Sequence, residues 1–431
     1  MYPIRLNNCA LVIFTGMFFC ISTANANDTR LEPTVGISTE YTDNSRLTES
    51  GELQELITTT YVGVNLDAGS GPFQLNANST LKYKDYMQST FANRRYLNLN
   101  ATAKWDMWKN RLDWKLQDFV TQQTLDSLSP DTPDNTQHVN VLTFGPNIYF
   151  PISGLQKITL RPEYRKFNYH NDHTYNNQQN SLTADWNYQI FRTINIGLTG
   201  GTNEVDYSDP TISDNESSNI HFIVSGQRLR FNYSGKLGST YIEKDTGAKI
   251  HGITGDLVWT YNISGHSNFR TYIATDLTDT SNNLLNASIN PENGDISNDQ
   301  ITTEVLRNSI IRLAYQNNDP RLNTSIWLEL RRQNYTEALL SRDVQAAGIA
   351  FTYPITAMLS TGINTRYSRT ELTDDDRKDN LFNIAGNINY RLSRRLLGTA
   401  ELKYNKKYST LDTAEFNEFR IFFNLAYKYG G

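Results

Sequence analysis

The stretch FQLNANSTLKYK, residues 73–84, alternates apolar and polar side chains without a break. Phe73, Leu75, Ala77, Leu81 and Tyr83 share one parity, with the small Ser79 among them, and Gln74, Asn76, Asn78, Thr80, Lys82 and Lys84 share the other. A β-strand sends successive side chains to opposite faces, so this segment has one apolar and one wet face. The apolar face must meet either a second sheet, as in a sandwich, or lipid.

The same alternation recurs along the chain. Leu97, Leu99, Ala101, Ala103 and Trp105 interleave with Asn98, Asn100, Thr102 and Lys104, and Leu182, Ala184, Trp186 and Tyr188 interleave with Thr183, Asp185 and Asn187. The last such stretch sets Phe419, Ile421, Phe423, Leu425 and Tyr427 against Glu418, Arg420, Asn424 and Lys428. No amphipathic helix interrupts them. The connections alternate too. Tight ones such as DAGSGP (67–72), MWKN (107–110), PISG (151–154) and LSRR (392–395) take turns with long polar ones. Among the latter are TDNSRLTESGELQE (42–55), SLSPDTPDNTQH (127–138) and the acidic stretch 276–299. A membrane barrel has short periplasmic turns and longer external loops in this order, whereas Greek-key crossovers do not sort loops by parity. The fold class is therefore all-β: a transmembrane antiparallel up-and-down barrel of about 20 strands, within a range of roughly 16 to 20. Lipid leaves no open sheet edge unpaid, so strand 34–42 is expected to close on strand 416–429. A tag near Asn286 should then face the outside and one at Gly265 the periplasm.

Composition agrees. The 431 residues are 38% hydrophobic and 12% aromatic, with no run of eighteen apolar residues beyond the N-terminus that would span a membrane as a helix. Residues 1–26 read as a signal peptide: Arg5 supplies the positive end, Cys9 to Ile21 are mostly apolar, and Ala24-Asn25-Ala26 is a small-residue cleavage site. Residues 27–431 then form one barrel domain with no room before the first strand for a plug. Both cysteines, Cys9 and Cys20, lie in the leader, so disulfides play no part. Trp105, Trp186, Trp259, Tyr149, Phe150, Tyr353 and Tyr427 lie toward short-turn ends, where an interfacial girdle belongs.

The charges on the wet parity carry the functional reading. Lys82, Lys104, Arg161, Arg165, Arg228, Arg230, Arg331, Arg366 and Arg420 are expected to face the lumen, with Glu163 and Glu329 as nearby acids. A basic lumen wall raises the local concentration of anions, although the whole chain carries a net charge of -5. The alternative is that charges of both signs merely pair across the lumen. His170, Asp172 and His173 come nearest to a metal or acid–base cluster, but they sit in a polar loop without strand-held partners. No catalytic residue, metal or other cofactor is expected.

LEPTVGISTEYTDNSRLT (31–48), with Tyr41-Thr42-Asp43-Asn44 at its turn, is followed by TTTYVGVNLDAGSGP and FQLNANSTLKYKDYM. This opening resembles the β-barrel porin-2 family, and within it the PEP-CTERM/exosortase-associated outer-membrane β-barrel proteins. The resemblance implies a porin-like channel in the outer membrane of a Gram-negative bacterium, associated with exopolysaccharide export or biosynthesis. A nutrient porin and a structural anchor for a secretion system are the alternatives. The implied partners are outer-membrane lipid and lipopolysaccharide, the barrel-assembly machinery and polysaccharide, with no nucleic acid. Barrels of this kind usually end on an aromatic residue, and here Gly430-Gly431 follow Tyr429. Residues 276–299 are long enough to fold inward as a constriction.

Overall fold

The computed structural model describes residues 29–69, 71–279, 281, 303–336 and 340–429. The leader, Asn286 and most of the stretch 276–299 lie outside these described residues.

Twenty antiparallel strands form one closed sheet. They begin with β1 (Thr29–Thr42), β2 (Glu55–Ala68), β3 (Phe73–Tyr86), β4 (Arg94–Trp108), β5 (Leu112–Thr124), β6 (Thr136–Pro151) and β7 (Gln156–Tyr169). There follow β8 (Asn177–Phe191), β9 (Ile194–Tyr207), β10 (Asn215–Arg228), β11 (Phe231–Lys244), β12 (Lys249–Asn262), β13 (Ser267–Asp279) and β14 (Val305–Asp319). The last six are β15 (Leu322–Tyr335), β16 (Arg342–Pro354), β17 (Leu359–Leu372), β18 (Lys378–Arg391), β19 (Leu396–Ser409) and β20 (Phe416–Lys428). The first and last strands pair from Thr34↔Lys428 to Thr42↔Arg420, which closes the barrel at the expected place. Connections at one end run two to four residues, and those at the other run up to 25.

Antiparallel partners share a face, so the register sorts every side chain to one wall. Leu81, Leu182, Leu237, Ile253, Leu328, Ile363 and Leu402 are half or more exposed, or nearly so, on the outer wall. Nothing but hydrocarbon makes such a surface stable. Leu75 shares that wall but is covered by a cluster with Leu66 and Ala68. Trp259 stacks with Phe231 at 6.0 Å and Trp114 with Phe144 at 4.9 Å, again on the outer wall. Tyr149 departs from the girdle: its hydroxyl donates to Asp113 Oδ2 at 2.8 Å, on the lumen side.

Two outcomes test this sorting. Leu328→Arg should cost about 2–4 kcal/mol in a urea unfolding series in lipid, and inward-facing Asn364→Arg only about 0.5 kcal/mol. Equal costs would mean that the faces are misassigned. A tag at Ile212, between β9 and β10, should be reached by antibody on intact cells, and one at Gly265, between β12 and β13, should not. Reversed accessibility would invert the orientation.

Candidate functional site

The charged residues of the inner wall are largely paired. Lys104 Nζ lies 2.8 Å from Asp106 and 3.7 Å from Asp113. Arg161 pairs with Asp185, and Arg165 with Glu163. Arg420 bridges Glu40 at 3.2 Å and Glu418 at 2.5 Å, while Glu418, fully buried, also accepts from Thr42 and Asn405. Lys82 sits in register between Tyr61 and Tyr96, and Lys84 Nζ stands 5.5 Å from the Tyr96 ring centre. Pairing of this kind leaves little net field where the signs balance.

Two of the expected residues face elsewhere. Arg228 pairs with Phe231, and it shares the parity of Ile220 and Phe222, which are 55% and 51% exposed on the outer wall. The strand ends at Arg228 and Arg230 lies in the two-residue turn beyond it. Both arginines therefore belong to the periplasmic rim, where a long cationic side chain reaches the polar interface.

Balance fails on one arc. The inner faces of β13–β17 carry Arg270, Arg312, Arg331, Arg342 and Arg366 against Asp276 and Glu329. One register row runs Arg270–Ala314–Trp327–Gly348–Arg366 across five strands. Arg312 lies 4.7 Å from the Trp327 ring centre and Arg366 5.7 Å. The ring lies over Gly348, where an added Cβ would come within 2.5 Å of it, so glycine at this position is what lets the indole lie against the wall. Arg312 and Arg331 share Glu329, at 3.2 and 3.1 Å. The result is a cationic patch around one indole face, beyond anything visible in the parity of single strands.

The external mouth is narrowed by two elements. The β5–β6 loop is stiffened by Asn135, whose amide donates to the carbonyls of Asp126 at 2.8 Å and Pro130 at 3.0 Å. It crosses to the far wall, where Arg342 donates to Ser127 Oγ at 3.2 Å and Arg377 to the Leu128 carbonyl at 2.7 Å. Arg94 pairs with Asp134 at its near end.

The second element is the end of the β13–β14 hairpin. Leu277 and Val305 share a strand face with lipid-exposed Ile273 and Ile311, yet they are buried against Ile242 and Ile250 of the inner wall. Thr278 and Leu306, on the opposite face, are buried as well. A hairpin buried on both faces stands inside the barrel. Ser281 beyond it reaches Tyr169 Oη at 3.1 Å and Asn177 at 3.2 Å, on β7 and β8. The rest of the stretch that was expected to constrict the pore lies outside the described residues.

The upper lumen is also less wet than parity suggests. Val139, Val141, Phe167 and Tyr169 are inward-facing and form a buried apolar cluster. Sequence holds a signal for this: Val139 and Val141 on one parity sit beside Leu142 and Phe144 on the other, an apolar run on both faces.

His170, Asp172 and His173 shape a turn. His173 Nδ1 lies 2.7 Å from the Tyr169 carbonyl, and Asp172 caps the amide of Thr174. Among the described residues no three of His, Cys, Asp and Glu gather as a metal site. In the β9–β10 loop, the hydroxyl and amide of Thr211 hold the Asp209 carboxyl below the usual carboxylate range.

A closed sheet with a hydrocarbon-facing outer wall and a charged lumen defines an outer-membrane β-barrel of a Gram-negative bacterium. No family model matches the chain. No curated protein matches it either. Among solved structures it is similar to the siderophore receptor PirA from Pseudomonas aeruginosa, with TM-score 0.50 and 10% identity over 93% of this chain and 80% of that one. It is also similar to the siderophore receptor PiuA from Acinetobacter baumannii, with TM-score 0.48 and 9% identity over 94% and 82%. For OccK1 (OpdK) from Pseudomonas aeruginosa the values are 0.43 and 9% over 93% and 99%. At such identities the likeness is one of fold.

Proposed function

We propose that this barrel is a porin-like channel for anionic solutes, and that its setting is the export or biosynthesis of an acidic exopolysaccharide. The observation that carries the reading is the patch of Arg270, Arg312, Arg331 and Arg366 around Trp327 on one arc of the inner wall. An indole face gives a sugar ring an apolar platform, and guanidinium groups beside it match carboxylate or phosphate. The opening stretch 31–48, with its resemblance to exosortase-associated barrels, supplies the polysaccharide setting. A narrowed external mouth favours a selective channel over a general porin.

Planar-bilayer recording tests this. A salt gradient should give an anion-selective reversal potential, and an acidic oligosaccharide should block the current at lower concentration than its neutral counterpart. A cation-selective pore, or equal block by both sugars, would sink the proposal.

A further inference from the structure

The sheet is unzipped at two places near its external end. β4 and β5 pair no higher than Leu99↔Val120, and there Gln122 donates across the gap to the Leu97 carbonyl at 3.2 Å. The second opening is between β12 and β13. β11 pairs with β12 up to Glu243↔Lys249, and β13 with β14 up to Asp279↔Val305, but β12 and β13 pair no higher than Gly255↔Thr275. Above that point the β13–β14 hairpin leans into the lumen, and residues 249–254 of β12 face a seam. Arg307 of β14 covers part of this edge, its guanidinium 3.4 Å from the His251 carbonyl and close enough to Gly252 that an added Cβ would lie 2.2 Å from Nη2. Lipid tolerates an unpaired backbone edge only where something satisfies or covers it.

The inward lean leaves a dent of about 970 Å³ on the outer wall just below the seam. That is at the upper end of the roughly 300–1,000 Å³ typical of ligand sites. Leu237, Leu257, Ile273, Ile311 and Leu330 line its apolar length. Its external edge is polar: Thr275 Oγ1 lies 3.1 Å from Ser309 Oγ, and Arg332 makes a two-pronged pair with Asp343 at 2.7 Å on both prongs. Arg332 lies three residues from the external end of β15. The dent thus runs from hydrocarbon depth toward the height of lipid headgroups.

We propose that this dent is a binding site for an acyl chain of an outer-leaflet lipid, with the polar ends of that lipid against Ser309, Arg332 and Asp343. Its place on the hydrocarbon-facing wall selects the occupant: an apolar concavity at that depth is wetted by chains and not by water. Seam and dent together mark this site on the wall: the opening between β12 and β13 lies directly above the apolar concavity. A chain in the dent lies against the lower end of the β12 edge that β13 leaves, at Gly255 and Thr275.

The test places an environment-sensitive fluorophore on Leu330→Cys, inside the dent, or on Leu402→Cys, exposed on the outer wall of β19. Each purified barrel in detergent is titrated with phospholipid carrying brominated chains. Quenching at position 330 should saturate, with half-saturation at a lipid fraction at least about tenfold below that at 402, and unbrominated lipid should reverse it. Ser309→Trp, which fills the dent, should convert the saturable curve at 330 into the collisional one, while heat-modifiable gel migration shows that the barrel is intact. Equal, unsaturating quenching at both positions would overturn the proposal. So would a dent occupied by a second copy of the chain, seen as Leu330→Cys cross-linking between barrels that lipid does not displace.

Discussion

Replacing Arg270 and Arg366 by glutamate is expected to turn an anion-preferring conductance into a cation-preferring one. Both side chains lie on the same register row, flanking Trp327. The β13–β17 arc is where the inner wall departs from charge balance, with five arginines against Asp276 and Glu329. Two charge reversals remove four positive units from a confined aqueous passage. Fields focused between low-dielectric walls change local ion concentrations by about tenfold or more, so the anion-to-cation permeability ratio should fall by about that factor. The effect should shrink in high salt, because screening shortens its reach to a few ångströms. Arg228→Glu with Arg230→Glu is the control. Those residues sit at the periplasmic rim, one on the outer wall and one in a turn, and their reversal should leave the reversal potential nearly unmoved. If the rim pair shifts selectivity and the arc pair does not, the lumen is not the selectivity element.

The second large effect concerns the mouth. Excising residues 127–132 and rejoining the strands through a short glycine link should raise single-channel conductance by about twofold or more, since a polar segment spanning a pore adds resistance in series. Arg342→Ala with Arg377→Ala should act in the same direction but produce a flickering current. Those changes remove the two contacts that hold Ser127 and Leu128 to the far wall and leave the segment in place. Thermal stability should change little in the excision variant, because the barrel's own ladder is untouched. An unchanged conductance in both variants would show that the β13–β14 hairpin alone sets the resistance, and the β5–β6 loop would lose its proposed part.

Much of this protein was determined by sequence alone. Parity in stretches such as residues 73–84 and 419–427 is a local property: each side chain's face follows from its neighbours, so the outer wall, the strand count and the closure of β1 on β20 were all readable. Alternating connection lengths sorted the short turns to one end of the barrel and the long loops to the other in the same way. The inward position of Lys82, Lys104, Arg161, Glu163, Arg165, Glu329, Arg331, Arg366 and Arg420 follows from that parity. Arg228 and Arg230 are the exceptions to the expected inward set: Arg228 shares the outward parity of Ile220 and Phe222, and Arg230 lies in the two-residue turn beyond the strand, where parity no longer applies.

Tertiary structure decided what the lumen contains. Which arginine meets which carboxylate depends on cross-strand register, and register joins residues far apart in the chain, as Thr42 and Glu418 show. The patch around Trp327 exists because four separate strands, β13, β14, β15 and β17, bring their residues to neighbouring heights. The crossing of the β5–β6 loop was out of reach, and of the inward hairpin only the length of the stretch 276–299 was legible. Val305 and Leu306 declare only that both faces of their strand are apolar. A two-sided apolar strand needs burial on both sides, and in a barrel the sole place offering that is the interior. Local chemistry states the need, and the closed wall around it is what determines where the need is met.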